Sequence, residues 1–285
     1  MTMIQAAVLG SDVSRSRSPA IHHAAYRALG IEGRFEALSV DDGGFQRLVR
    51  DLGARGYRYL NVTIPHKAAA AALATTRSAT VRNASAANTL LFEPGAPDAV
   101  HAENTDGHGL LAALRDLGVE PGGQDVALVG AGGASAGALE ALTVAGARVR
   151  LVARRPEAAR ALIDQMPEKR RWLVKSMPWH DGGGADLRRA LDGARVLISS
   201  VPAAAWEDAA AAAQLAAIER DTAVLEMAYG SKGGSPLARA VRGRVSRYSD
   251  GLGMLVHQAA RAIELALGEV PPLPPLFTAA LAAQL

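Results

Sequence analysis

Short apolar runs alternate with helix-patterned stretches along almost the whole chain, and this alternation constrains the fold more than any other feature. Met3–Leu9, Phe35–Val40 and Tyr57–Val62 read as strands, separated by helical patterns at Pro19–Leu29 and Phe45–Leu52. A second block repeats the scheme, with strands at Asp125–Val129, Arg148–Ala153, Arg195–Ser199 and Ala223–Met227 and helices at Ala134–Ala145 and Pro156–Gln165. Parallel neighbours need a long crossover to return the chain to the same end of a sheet, so strands spaced by helices predict βαβ units. Between the blocks, Ala87–Phe92 and Ala99–Glu103 flank the turn-rich run Glu93-Pro94-Gly95-Ala96-Pro97-Asp98, which predicts a hairpin. A helix over Gly107–Leu117 follows, with Gly118 as its C-cap. The Ala-rich stretch Ala203–Ala217 is expected to be helical, since Ala is the best helix former. Pro236–Val241 reads as a short helix and Gly253–Leu267 as the last long one, stopped by Pro271, Pro272, Pro274 and Pro275 before a short terminal helix. The fold class is therefore α/β.

At 285 residues the chain is long enough for two ordinary domains and buries a sizeable core without staples. It has no cysteine, which removes disulfides, thiolate metal sites and thiol nucleophiles together and fits a reducing, cytoplasmic setting. No long uncharged apolar run or basic leader pattern is seen, so no membrane role is expected. The net charge is +3 with arginines scattered in local pairs, and aromatics are 4% of the chain, too few for a base-stacking surface. Nucleic acid is thus an unsuitable partner, and a small anionic ligand met by a few arginines suits this balance.

The run Val126-Ala127-Leu128-Val129-Gly130-Ala131-Gly132-Gly133-Ala134-Ser135 is a strand entering a glycine turn and then a helix. Gly130 permits the tight turn, Gly132 lets backbone approach a pyrophosphate, and the helix N-terminus faces the anion. Ser135 takes the place of the third glycine of a dinucleotide fingerprint. The next strand ends Ala153-Arg154-Arg155, with no acid to hold a ribose 2′-hydroxyl. Two guanidiniums there suit a 2′-phosphate instead, which favours NADP over NAD. The second block therefore reads as a doubly wound Rossmann-type domain over residues 108–245.

Polar groups recur where strands of the first block end: Asn61-Val62-Thr63-Ile64-Pro65-His66-Lys67, Asn88-Thr89 and Asn104-Thr105-Asp106. Open α/β sheets bind ligands at such ends. Together with Ser16-Arg17-Ser18-Pro19, Tyr229, Ser235-Pro236 and Gly253-Met254-Leu255-Val256-His257-Gln258-Ala259, these motifs stand in an order that resembles the shikimate and quinate/shikimate dehydrogenases. The resemblance runs from about Val8 to Gly268. It implies that Lys67 and Asp106 form the catalytic pair. It further implies that Ser16, Ser18, Thr63, Asn88, Tyr229 and Gln258 meet a polyol acid, and that Gly130, Gly132, Gly133, Ala134, Arg154, Arg155, Met227 and Gly253 meet NADP. The resemblance also makes residues 1–107, completed by 246–285, the substrate domain, with the C-terminal helix returning to it and bringing Gln258 into the site. The implied reaction is reversible NADPH-dependent reduction of 3-dehydroshikimate to shikimate, with a quinate or related cyclitol dehydrogenase as the alternative. An idle nucleotide-binding sensor would need no proton-handling pair.

The sequence departs from the family pattern at Arg15, Ala153-Arg154-Arg155, Ser199-Ser200-Val201 and Glu226, mostly on the nucleotide side. His22, His23, His66, His101, His108, His180 and His257 show no metal-ligand spacing, so no metal is expected. The implied partners are small molecules, on a monomer or homodimer.

Overall fold

A computed structural model describes residues 3–179, 185–207, 213–230 and 234–283. They fall into two compact units, residues 1–109 with 255–285 and residues 110–254. The first unit is built on strands β1 (Ile4–Gly10), β2 (Gly33–Ser39), β3 (Tyr59–Val62), β4 (Thr76–Arg77), β5 (Thr89–Glu93) and β6 (Ala96–Glu103). Their order is β2-β1-β3-β5-β6-β4. β1 pairs in parallel with β2 and β3, while β5 runs antiparallel to β3 and β6. The hairpin is tighter than its composition suggests. Gly95 takes a φ of +81°, and β6 already begins at Ala96, so the strands run into the turn-rich segment.

Side chains alternate across a pleated sheet, and both faces of this one are covered. Ala7, Leu9, Leu60 and Val62 share one core with Phe45, Leu52 and Leu90. The intervening Tyr59 and Asn61 point to the other face and are also buried. There the helix Ser18–Leu29 packs, backed by the terminal helix Leu273–Ala282. This helix carries His22 and Tyr26 one turn apart, both nearly inaccessible to water. His22 Nδ1 lies 2.6 Å from the Tyr59 hydroxyl, which lies 2.7 Å from that of Tyr26. The His22 ring stacks on Phe35 at 3.8 Å.

The second unit contains β7 (Asp125–Val129), β8 (Arg148–Ala153), β9 (Val174–Pro178), β10 (Val196–Ser199), β11 (Ala223–Glu226) and β12 (Arg247–Ser249), in the order β12-β11-β10-β7-β8-β9. All its pairings are parallel. The order reverses between β7 and β10, as in a doubly wound sheet. Val126 and Leu128 enter the core on one face, Ala127 and Val129 that on the other. Parallel strands covered on both faces read as unbroken apolar runs, which is how β7 was legible.

The Ala-rich stretch corrects one expectation. Ala203–Trp206 and Leu215–Ala217 are 3₁₀ turns rather than parts of a continuous helix, and residues 208–212 lie outside the described residues, as does His180. Tertiary anchoring overrides propensity there. The Trp206 indole donates to Ser199 Oγ at 2.9 Å and its ring sits 5.2 Å from that of Trp179.

Burial holds His22 neutral, pushing its pKa down from 6.5 to about 3 against a smaller opposing pull from Asn61. The unfolded chain therefore binds a proton that the folded chain refuses, and stability is fully present above the unfolded value and lost as pH falls. Below a pH of 6.5 this group should cost about 1.4 kcal/mol per pH unit until it titrates in the fold. Urea unfolding near neutral pH and one to two units below should show that slope, and His22→Gln should flatten it. An identical slope in the variant would mean that other groups carry the acid sensitivity.

Candidate active site

The first unit converges its polar strand ends on one ion pair. After β3, Thr63 to His66 form a turn closed by His66 N–H donating to Thr63 O at 3.0 Å. The His66 ring is buried, 2.9 Å from Val40 O and stacked on Phe45 at 4.6 Å. With His66 locked inward, the next residue, Lys67, opens the helix Lys67–Leu73. Its Nζ donates to Asp106 Oδ2 at 2.5 Å, and the two side chains are only 12% and 8% exposed.

Asp106 opens its own helix, Asp106–Asp116, where a carboxylate complements the backbone dipoles. Asn104 Oδ1 accepts from Asp106 N–H at 3.1 Å, and Asn104 Nδ2 donates to Ala86 O at 2.8 Å, so both polar ends of that side chain fix the helix entry. The other carboxylate oxygen, Oδ1, accepts from Asn88 Nδ2 at 2.9 Å. Asn88 Oδ1 accepts from Thr105 N–H at 2.8 Å. A backbone N–H can only donate, so this contact turns the Asn88 amide group towards Asp106. The same Nδ2 lies 2.9 Å from Thr105 Oγ1 and 3.2 Å from Gln258 Oε1, and Gln258 Nε2 donates to Leu255 O in its own helix, Leu252–Leu267.

The structure thus brings Lys67, Asp106, Asn88 and Gln258 into one cluster within the first unit. Thr63 follows β3, and Ser16 and Ser18 lie in the segment leaving β1, so all three stand at the same strand-end edge of the sheet. Ser16 Oγ accepts from Ser18 N–H at 3.3 Å at the start of the helix Ser18–Leu29. An ammonium beside a buried carboxylate can stabilise negative charge developing on a substrate oxygen and pass it a proton.

In the second unit the expected nucleotide residues also follow strand ends. Gly130 leaves β7 with a φ of +117°, and a Cβ there would collide with Ser200 Oγ. Gly132 and Gly133 are exposed and open the helix Gly133–Val144 together with Ala134, and a Cβ on Gly132 would meet nothing within 4 Å. The backbone here is open to a ligand, and first-turn amides have no partner within a helix. Arg154 and Arg155 follow β8 and are exposed. Met227 follows β11, and Gly251 N–H donates to Ala228 O at 2.9 Å, which lays the start of the Leu252–Leu267 helix, including Gly253, beside that strand end. Tyr229 belongs to this unit as well. It borders a recess lined also by Glu226, Ser235, Arg242 and Tyr248.

Comparison with known proteins agrees with these motifs. A family model described as the shikimate dehydrogenase substrate binding domain matches residues 8–90. The NADP(+) shikimate dehydrogenase of Acidovorax sp. (strain JS42) is 36% identical over 277 residues, covering 95% of this chain and 93% of that protein. The chain belongs to the shikimate dehydrogenase family. Among solved structures, Mycobacterium tuberculosis shikimate dehydrogenase superposes with a TM-score of 0.83 at 31% identity, covering 98% of this chain and 99% of that one. Shikimate 5-dehydrogenase from Thermus thermophilus, solved with NADP(H) and shikimate, has a TM-score of 0.80 at 27% identity, covering 99% and 100%.

Two departures now have physical reasons, that of Ser135 from the dinucleotide fingerprint and that of Glu226 from the shikimate dehydrogenase pattern. Ser135, in the place of a glycine, is wholly buried. Its Oγ accepts from Gly132 N–H at 3.1 Å and lies 2.6 Å from Ser200 Oγ, which donates to Val129 O at 2.8 Å. The serine ties the ends of β7 and β10 where the strand order reverses. Glu226 is buried beside Ser235, whose hydroxyl donates to it and also caps the helix Pro236–Val241, while Tyr248 donates to the same oxygen at 3.0 Å. Burial, and then the Glu226 charge, push the Tyr248 phenol well up.

The sequence motifs contained Thr89, Thr105 and Asn61 without assigning them a part, and all three brace Asn88 or its neighbour. Their signal was the repeated amide–hydroxyl pair at strand ends. Gly130→Ala should lower stability by about 1–3 kcal/mol, since it places a side chain at a positive φ and against Ser200. Thermal unfolding of the variant measures this, and an unchanged midpoint would mean that the turn relaxes freely.

Proposed function

We propose that the protein is an NADP-dependent shikimate dehydrogenase that interconverts 3-dehydroshikimate and shikimate. The observation that carries this reading is the buried Lys67–Asp106 pair, braced by Asn88, in a chain that matches shikimate dehydrogenases over nearly its full length. The open glycine turn, the helix behind it and the exposed Arg154–Arg155 pair fit a phosphorylated dinucleotide. Gly130, Gly132, Gly133 and Ala134 would hold the pyrophosphate, the arginines the 2′-phosphate, and Met227 and Gly253 the neighbouring part of the cofactor. When bound, NADPH supplies a hydride for the ring carbonyl carbon.

As that carbon is reduced, its oxygen gains negative charge and needs a proton. Lys67, as the ammonium, neutralises the growing charge and delivers the proton, and the balance is one hydride and one proton added to the carbonyl. Asp106 holds the ammonium in place. It also keeps the charge of the empty pair balanced, so the lysine is ready before the substrate arrives. Asn88, Gln258, Thr63, Ser16 and Ser18 would meet the hydroxyl and carboxylate groups of the ring.

Oxidation of shikimate or quinate with NADP or NAD, followed at the absorbance of the reduced cofactor, tests the reading directly. Turnover with shikimate and NADP is expected, and no turnover with any combination would overturn it. Lys67→Ala should lower kcat by roughly 10²–10⁴-fold with a smaller change in KM. Asp106→Asn should also slow the reaction, and the double variant should lose less than the sum of the two in free energy, because both act on one pair. A Lys67→Ala enzyme retaining half the native kcat would remove the lysine from this role.

Cofactor choice falls to the arginines, since Ala153 offers no polar group. A guanidinium on a 2′-phosphate should give about ten- to hundredfold preference for NADP over NAD. Arg154→Ala should raise KM for NADP and leave that for NAD nearly unchanged, and added salt should erode the native preference because the pair is exposed. Equal weakening of both cofactors would exclude a 2′-phosphate contact at Arg154.

A further inference from the structure

The polar groups behind Asn88 do not end there. Thr89 Oγ1 donates to Asn88 Oδ1 at 3.1 Å and accepts from Asn61 Nδ2 at 3.1 Å, since β3 and β5 pair Asn61 directly with Thr89. Asn61 Nδ2 also lies 3.4 Å from the Asn88 carbonyl, an acceptor, which turns Asn61 Oδ1 away towards the helix Ser18–Leu29. That oxygen and His22 Nε2 are both buried and neither has a hydrogen-bond partner elsewhere, which leaves one acceptor and one donor to satisfy each other, and the Asn61 side chain favours protonation of the His22 ring. The two are each other's complement. Burial keeps the imidazole neutral, so it carries one proton only. With that proton on Nε2, facing Asn61, Nδ1 must accept from Tyr59, and Tyr59 in turn accepts from Tyr26.

Every donor then points the same way. We propose that His22, Tyr59 and Thr89 are positioning residues for the Lys67–Asp106 pair, acting through a one-way chain of hydrogen bonds that runs from Tyr26 through Asn61 and Asn88 to Asp106 Oδ1. Aligned donors polarise one another, so each strengthens the next and the last presents a stronger dipole to the carboxylate. The chain fixes Asp106 Oδ1, and Oδ2 is left to hold the ammonium. His22, Tyr59 and Thr89 are each wholly buried, and the side-chain partners of the Lys67–Asp106 pair are Asn88 and Asn104, so their influence passes through Asn88. Sequence geometry makes this possible. His22 and Tyr26 are one helical turn apart, Tyr59 and Asn61 share one strand face, and Thr89 faces Asn61 across the ladder.

The inference rests on the proposed activity, and its test separates the two. Thr89→Val removes only the hydroxyl, whereas Thr89→Ser keeps it and leaves a small void. Both should lower the thermal midpoint. Thr89→Val should reduce kcat for shikimate oxidation about tenfold, the worth of one such bond, with KM changed less than about threefold. Thr89→Ser should stay within about twofold of native kcat. In an Asp106→Asn background the Thr89→Val loss should shrink to less than about twofold, because the carboxylate it served is gone. Tyr59→Phe should lower kcat several-fold by removing the hydroxyl that selects the His22 tautomer.

The proposal is overturned if Thr89→Val keeps native kcat while losing stability, if Thr89→Ser loses as much activity as Thr89→Val, or if the loss persists undiminished beside Asp106→Asn. Nitrogen-15 chemical shifts of the His22 ring give a reading independent of turnover. They should place the proton on Nε2, and a proton on Nδ1 breaks the chain. Native protein that fails to oxidise shikimate overturns the proposed function instead, and the tautomer still decides the chain.

Discussion

A lysine and a carboxylate held almost out of water set the terms for the first unit. Removing either charge from water is costly, and the pair's mutual attraction offsets this only when the remaining polar atoms are satisfied. Lys67 and Asp106 meet that condition through close contact and through Asn88 on the second carboxylate oxygen. The placement of Lys67 is otherwise unfavourable. It stands in the first turn of its helix, where backbone dipoles disfavour a cation, whereas Asp106 stands where they favour an anion. A stabilising role alone would be better met by apolar side chains of similar size. The geometry makes sense as a charge kept ready for a reaction.

Holding such a pair requires scaffolding from distant parts of the chain, and this explains the mixed first sheet. Asn88 sits just before β5, between β3 and β6, and only an antiparallel hairpin brings Asn61, Thr89 and Thr105 around it together. The returning C-terminal helix adds Gln258 from the other end of the sequence. His66 performs the complementary task by filling a core site, so that the following residue turns away from that core towards Asp106.

What could be read from the sequence follows from the range of the interactions involved. β7 was legible because a buried parallel strand reads as an apolar run, β8 because its apolar end Leu151-Val152-Ala153 is buried, and Gly130 because a tight turn at positive φ demands glycine. β9 was not, since an edge strand containing Lys175, Ser176 and a terminal Pro178 has no periodic signal. The helix Lys67–Leu73 was hidden behind Pro65, and the start of the stretch Ala203–Ala217 was misread because Trp206 anchors it as a 3₁₀ turn. At the site, spacing alone does not join Lys67 to Asp106, whose contact spans 39 residues, and the motif resemblance supplied that link. The bracing of Asn88 depends on strand register and amide orientation, which composition and periodicity do not encode.

The two units hold their polar groups in opposite ways, and the difference follows from what each must do. In the first, the donors and acceptors around Lys67 and Asp106 are buried and fixed from several elements, which would let a charge meet a transition state without reorganising. In the second, Ser135 and Ser200 spend their hydroxyls on tying β7 to β10, and the turn beyond leaves Gly132, Gly133 and both arginines facing solvent. A cofactor that enters reduced and leaves oxidised in every cycle could not be held by a dense, buried network, because release would break all of it. Backbone amides and exposed guanidiniums, screened by salt and rehydrated on departure, would give recognition without permanence.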